Sequence, residues 1–438
     1  MGLKILRLIR NALLVIILLS GSLQASVNVD SIDHILKNAG LQSEHLGIVI
    51  EDNSEVVFSL NPERRMVPAS LTKIVTAAAA FELLNPQYQF RTQLLTDGVR
   101  KGDLLEGSLY IKGGGDPSFT AGKLPALIRF LSTQGIRCLK GNVIIDNSRF
   151  DDPIFDTSAQ VKHLIQSWDR KGYPLFLNFE PARKFSARLE RAIRSVTTPK
   201  RDRDFVVYCN MNQPDLWTGY KFLSYLRTAG IEVSGSVERG VSPPQAKLIT
   251  EVRSPLADII SQMMKASSNY YAEMLTRNLA VTNGQTSATS QEGINKILEF
   301  MDHVGIARSD YLIRSAAGFS NQNSISALNL SKVLNHMKEE KAIFWLFKNS
   351  FAIAGVDGTL KYRMKHTPAQ QKVFAKTGYL KQIVGLAGYA AQADGRLITF
   401  VFMYNGPRSA HTVQNAFDRL CVELVQHTVL ASARITKS

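Results

Sequence analysis

The sequence predicts an α+β protein: one antiparallel sheet built from both ends of the chain, flanked by helices and interrupted by a large inserted α+β segment. Two observations carry this. Strand-like runs with helices beside them stand at each end, and the texture changes between about residues 91 and 241. The length agrees, because 438 residues exceed what one hydrophobic core usually supports.

At the start, Lys4, Arg7 and Arg10 precede an apolar run from Ala12 to Leu19, followed by small and polar residues. This is the pattern of a cleaved export leader, with the cut expected after Ala25 and residues 1–25 as signal peptide. The run falls short of the roughly 20 apolar residues that a spanning helix needs. "SIDHILKNAGL" then places Ile32, Ile35, Leu36 and Ala39 on one helical face. "LGIVIEDNSEVVFSLN" reads as two strands around the turn Asp52-Asn53-Ser54, and an Ala-rich helix follows to about Leu84.

The inserted segment (91–241) alternates short strand-like runs with turns, in "SLYIKGGGDPSF", "GNVIIDNSRF" and "DFVVYCNM". It includes a basic stretch from Arg183 to Arg203, and "TGYKFLSYLRTAGIEVSGSV" reads as a helix then a strand leading back. Near the C-terminus "QKVFAKTGYL", "IVGLAGYAAQ" and "RLITFVFMYNG" read as three strands, the last two joined by Asp394-Gly395. An amphipathic helix from about Thr412 to Val429 closes the chain. Residues 26–90 and 242–438 are thus expected to form one domain around the insertion.

The formal charge of +15 suits an anionic partner. Export excludes nucleic acid and points to an acidic envelope polymer, with peripheral membrane contact as a further option. Three cysteines make no disulfide framework. Cys138 and Cys209 could pair, while Cys421 lies on the apolar stripe Val413, Ala416, Phe417, Leu420 and Leu424. The eight histidines are scattered, without HExxH or paired spacing, so neither a metal nor an organic cofactor is expected.

Three short motifs carry chemistry only together. Ser70-Leu71-Thr72-Lys73 sets a hydroxyl and an amine on one helix face; alone it reads better as a capping serine and a surface lysine. Ser267-Ser268-Asn269 opens another helical stretch, where the bland reading is a pair of caps. Lys376-Thr377-Gly378 lies in a strand-like run, where a cation and a hydroxyl can meet a carboxylate and glycine allows close approach.

In this order the three motifs are the set of the penicillin-recognising serine enzymes. The surrounding text, "LYIKGGGDPSF", "IDNSRFD", "MMKASSNYYAEML", "AGVDGTLKYRM" and "AKTGYLKQIVGLAGYA", resembles the D-alanyl-D-alanine carboxypeptidase/endopeptidase family of class C penicillin-binding proteins, peptidase family S13. The about 200 residues between Ser70 and Ser267 match that family's long insertion. The resemblance implies a serine β-lactamase/DD-peptidase-like domain that hydrolyses the D-Ala-D-Ala bond of peptidoglycan peptides in the periplasm and is blocked covalently by β-lactams. It implies Ser70 as nucleophile, Lys73 as its base and Ser267 as proton relay. Asn269 would hold the peptide, and Lys376, Thr377 and Gly378 would bind its terminal carboxylate. The backbone N–H of Tyr379 would complete an oxyanion hole with that of Ser70. For Lys73 to act as base its amine must fall well below its ordinary ~10.4, through burial or a cationic neighbour, with Lys376 the obvious neighbour.

Two departures stand out. Tyr379 replaces the threonine of KTGT, and the segment Ser315–Asn323 ("SAAGFSNQN") lacks the Asp and Arg of the family's DGSGLSRxN. Two alternatives follow. One is a degenerate penicillin- or peptidoglycan-binding protein. The other is a β-lactamase, for which Glu180-Pro181 stands on the wrong side of Ser267.

Overall fold

A computed structural model describes residues 29–150, 214–281, 288–319, 321–426 and 436–437. The leader, Glu180-Pro181, Cys209 and the run Arg183 to Arg203 lie outside the described residues.

The first described helix, α1 (Val29–Asn38), is followed by β1 (Leu46–Asp52) and β2 (Glu55–Leu60). The Ser70 segment comes next, as a 3-10 turn (Ala69–Leu71) running into α2 (Thr72–Leu83). The insertion holds β3 (Gln89–Thr96), β4 (Val99–Lys101), β5 (Leu104–Glu106), β6 (Leu109–Lys112), α3 (Leu124–Thr133), β7 (Cys138–Lys140) and β8 (Val143–Asp146). It returns through α4 (Pro214–Thr228), β9 (Glu232–Val233), β10 (Val237–Arg239) and β11 (Lys247–Pro255). Five helices follow: α5 (Leu256–Ala266), α6 (Asn269–Ala280), α7 (Ser290–His303), α8 (Ala327–Glu339) and α9 (Lys341–Ser350). The C-terminal part supplies β12 (Ala352–Ile353), β13 (Val373–Leu380), β14 (Ile383–Ala391), β15 (Leu397–Asn405), α10 (Ala410–Gln426) and the short β16 (Thr436–Lys437).

The main sheet runs β12-β13-β14-β15-β1-β2-β16. Its seam is β1 against β15, antiparallel with Val49 opposite Val401, so strands from the two ends of the chain meet at its centre. Only the terminal pairing of β16 with β2 is parallel. One face of the sheet packs α1 and α10, where Val413, Phe417, Leu420, Cys421 and Leu424 are buried with Ile35, Leu46 and Phe402. Burial pushes the Cys421 thiol well above its usual range.

On the other face α2 is enclosed by α5, α6, α7, α8 and α9. Ten of its twelve residues, Thr72 to Phe81, are buried. A helix buried on every side needs small residues where neighbours cross, and Ala77–Ala80 supply them. This is why the Ala-rich run lies inside the protein.

The insertion has its own core around Leu94, Ile111, Leu127, Leu139 and Phe222. Its two sheets run β10-β8-β6-β3-β11 and β4-β5-β7-β9. The long pairing of β3 with β11, Gln89 opposite Pro255, closes the segment where it leaves the body. The strand pairing therefore runs past the edges expected at 91 and 241.

Candidate active site

Ser70 sits in the 3-10 turn that opens α2. Ala69 beside it has φ 48°, a left-handed conformation that costs a residue with a Cβ roughly 1 kcal/mol or more. The Thr72 hydroxyl donates to the Ala69 carbonyl at 2.9 Å and receives the Asn323 amide at 3.2 Å. Gly318 packs so closely that a Cβ there would lie 1.9 Å from the Ala69 oxygen. The turn is clamped from both sides.

One helical turn on, Lys73 is fully buried. Its Nζ lies 3.0 Å from Ser70 Oγ and 2.8 Å from Asn269 Oδ1, and it also reaches the Ala317 carbonyl. Burial lowers this amine to about 7, although the Glu273 carboxyl pulls the other way. A buried amine with only neutral acceptors in contact gives up its charge readily. The amine donates to Ser70 when charged and can take the hydroxyl proton when neutral.

Ser267 ends α5 in a left-handed conformation, φ 55°, and Ser268 caps α6 by accepting from the Tyr271 amide. This break between two helices turns Ser267 and Asn269 toward different lysines. Ser267 Oγ accepts from Lys376 Nζ at 2.7 Å, and the same ammonium reaches the Thr377 carbonyl at 2.9 Å. Lys376 is also fully buried; burial first, then repulsion from Lys73, holds its amine well below the usual range. Burial is thus the main cause for both lysines.

Strand β13 carries Lys376, Thr377, Gly378 and Tyr379 past the turn that holds Ser70. A Cβ on Gly378 would lie 2.8 Å from the Pro68 oxygen, so glycine permits the strand to come this close. The Thr377 hydroxyl donates to Thr359 Oγ1 at 2.9 Å. Thr359 belongs to "AGVDGTLKYRM", which the Lys265–Asp357 ion pair ties to α5. The Tyr379 side chain is 61 % exposed, so its bulk stands toward solvent.

All eight expected site residues therefore lie on three stretches that meet: the turn opening α2, the α5–α6 junction and β13. Sequence reasoning missed three contributors: the Ala317 carbonyl, Thr359 and Glu273. Glu273 is four residues beyond Asn269 on α6, a spacing that puts both on one face. It is buried, accepts from the Ser315 hydroxyl at 3.2 Å, and is raised by burial against opposing hydrogen bonds and charges. Within the altered segment, Asn323 bonds the backbone of Arg314 and Ser315. A cavity of about 1250 Å³ at the base of the insertion, lined by Arg91, Lys112, Arg149 and Arg253, includes none of the eight.

The family described as "D-Ala-D-Ala carboxypeptidase 3 (S13) family" matches residues 28–163 and 195–424. D-alanyl-D-alanine carboxypeptidase DacB of Haemophilus influenzae is 26% identical, over 87% of this chain and 89% of its own. D-alanyl-D-alanine carboxypeptidase of Actinomadura sp. is 25% identical over 93% of this chain and 87% of its own. Among solved structures, penicillin binding protein 4 of Haemophilus influenzae superposes with TM-score 0.69 at 22% identity, covering 90% of this chain and 99% of its own. A predatory peptidoglycan endopeptidase of Bdellovibrio bacteriovorus gives TM-score 0.56 at 17% identity, covering 86% and 92%.

Proposed function

Because the chain belongs to the D-Ala-D-Ala carboxypeptidase 3 (S13) family, we propose that it is a serine DD-peptidase working through an acyl-enzyme on Ser70. The observation that carries the reading is a fully buried Lys73 amine, lowered to about 7, at 3.0 Å from Ser70 Oγ. Neutral Lys73 takes the Ser70 proton as Oγ attacks the carbonyl of the D-Ala-D-Ala bond. The backbone N–H groups of Ser70 and Tyr379 receive the oxyanion; losing one such donor typically costs ~3 kcal/mol. Asn269 orients the peptide. Lys376 and Thr377 hold its terminal carboxylate, with Gly378 admitting the close backbone contact. Ser267, bonded to Lys376 at 2.7 Å, passes a proton to the departing D-Ala amine. The C–N bond breaks, and water then cleaves the ester and restores Ser70. β-Lactams would acylate the same oxygen and stay.

We assign residues 26–90 and 242–438 to the peptidase body and 91–241 to an accessory insertion, whose β3–β11 pairing reaches past these bounds to Gln89 and Pro255. The leader over residues 1–25 supports export to the periplasm, where peptidoglycan peptides are the substrate. Cross-linked peptides, in which the same bond type recurs, are a further substrate.

The test is the intact mass of the mature protein after penicillin, beside Ser70→Ala, with D-Ala release assayed in parallel. The expected result is one adduct, absent from the variant, together with D-Ala release. An adduct without release would reduce the protein to a penicillin binder. Rapid loss of the adduct as hydrolysed penicillin would make it a β-lactamase, and no adduct would overturn the assignment of Ser70.

A further inference from the structure

Away from the catalytic residues, three helices end at one point. Glu82 is the penultimate residue of α2, His303 the last of α7, and His336 stands in the last turn of α8. One ligand atom from each lies within 4.8 Å of the others. The His336 ring nitrogen is 2.8 Å from one Glu82 carboxyl oxygen, and the His303 ring nitrogen is 3.5 Å from the other.

We propose that Glu82, His303 and His336 form a binding site for a divalent transition-metal ion of the zinc class. Two imidazoles and a carboxylate are a donor set that zinc takes, with a fourth position left for water. Bonds of ~2.1 Å at tetrahedral angles put ligand atoms ~3.4 Å apart. The atoms offered lie within 4.8 Å of one another, with the 3.5 Å and 2.8 Å contacts made to different Glu82 oxygens, so a modest side-chain adjustment brings them to that spacing. The surroundings favour a cation. Three helix C-termini converge, and each presents the negative end of its dipole. The shell is partly closed, since the Phe300 and His303 rings pack edgewise on His336. His303 is 67 % exposed, which leaves an entry path. Glu82 lies nine residues past Lys73 on α2, ~14 Å along the helix axis. An ion here would staple the far end of the nucleophile helix to α7 and α8 without touching the reaction.

The competing reading is a metal-free carboxylate bridging two histidines. The full mature chain, treated with EDTA and dialysed, is titrated calorimetrically with zinc chloride, and unfolding is followed with and without the ion. The variants are Glu82→Gln, His336→Gln and His303→Ala; the last changes an exposed side chain and so spares folding. The expected result is one zinc per chain and a rise in Tm of about 3 °C at saturation. Each variant should weaken binding by at least about tenfold, with penicillin adduct formation unchanged in all of them. No uptake, or uptake that His303→Ala and His336→Gln leave unaltered because other histidines hold the ion, would overturn the proposal.

Discussion

In the insertion, Asp146 is fully buried and its carboxylate accepts both the backbone N–H and the hydroxyl of Ser148 and of Ser242. Burial alone would raise it, yet those hydrogen bonds hold it below its usual range. In the peptidase body Lys73 and Lys376 are buried just as completely, but their contacts are hydroxyl, amide and carbonyl oxygens, and burial drives both amines down. A buried charge wrapped in dedicated donors stays an ion and ties chain segments together. A buried amine with neutral acceptors sits near the point where it can change protonation state, as proton transfer requires.

The sharpest way to break this contrast is Lys73→Met. Penicillin acylation should fall by roughly 10²–10⁴-fold, the range of a lost general base. Thermal stability should hold or rise, because a costly buried amine has gone. A variant that acylates normally would remove Lys73 from the mechanism. Next comes Asp146→Ala, which orphans the Ser148 and Ser242 donors and should cost about 2–3 kcal/mol in denaturant unfolding. It should leave the acylation rate unchanged. The carboxylate's contribution is present above the usual aspartate pKa and disappears as pH falls through its lower folded value, so acid unfolding should begin at higher pH in the variant.

The subtlest test concerns pH. In the proposed mechanism Lys73 is a base only when neutral, so with its amine at about 7 acylation should climb about tenfold per unit below that pH and level off above it. Glu273 raises the Lys73 amine, against the lowering by burial. Glu273→Gln removes that opposition and should shift the acid limb toward lower pH. A limb that stays in place would show that the Glu273 carboxyl has no hold on Lys73.

The strands and helices of the main sheet were legible because their apolar periods are strong. So were the three motifs, because order along the chain is itself information. Less could be read where the signal is tertiary. Asn269 and Lys73 are 2.8 Å apart, but nothing in "SSN" says which lysine it meets; that follows from the left-handed Ser267 between α5 and α6. The sequence left open whether burial or a cationic neighbour lowers Lys73, and the structure makes burial the cause; a lysine in an Ala-rich helix can be read as its exposed stripe. In the insertion, short parallel pairings such as β5 with β7 and β7 with β9 join segments whose two- and three-residue runs have no period to detect. Glu82, His303 and His336 stand on separate helices, so no spacing rule could unite them.

The seam between β1 and β15 has a consequence for how the molecule comes into being. Contacts between the two ends of a chain are the slowest to form, and the strand that completes the sheet is among the last residues synthesised. Until Leu397–Asn405 is in place, Ser70 and Lys73 are present but β13 and β14, which pack on the Ser70 turn, lack the strand that joins them to β1. Covalent labelling of Ser70 would therefore time the end of folding, and a chain cut before β15 should be silent toward penicillin despite carrying every reactive group.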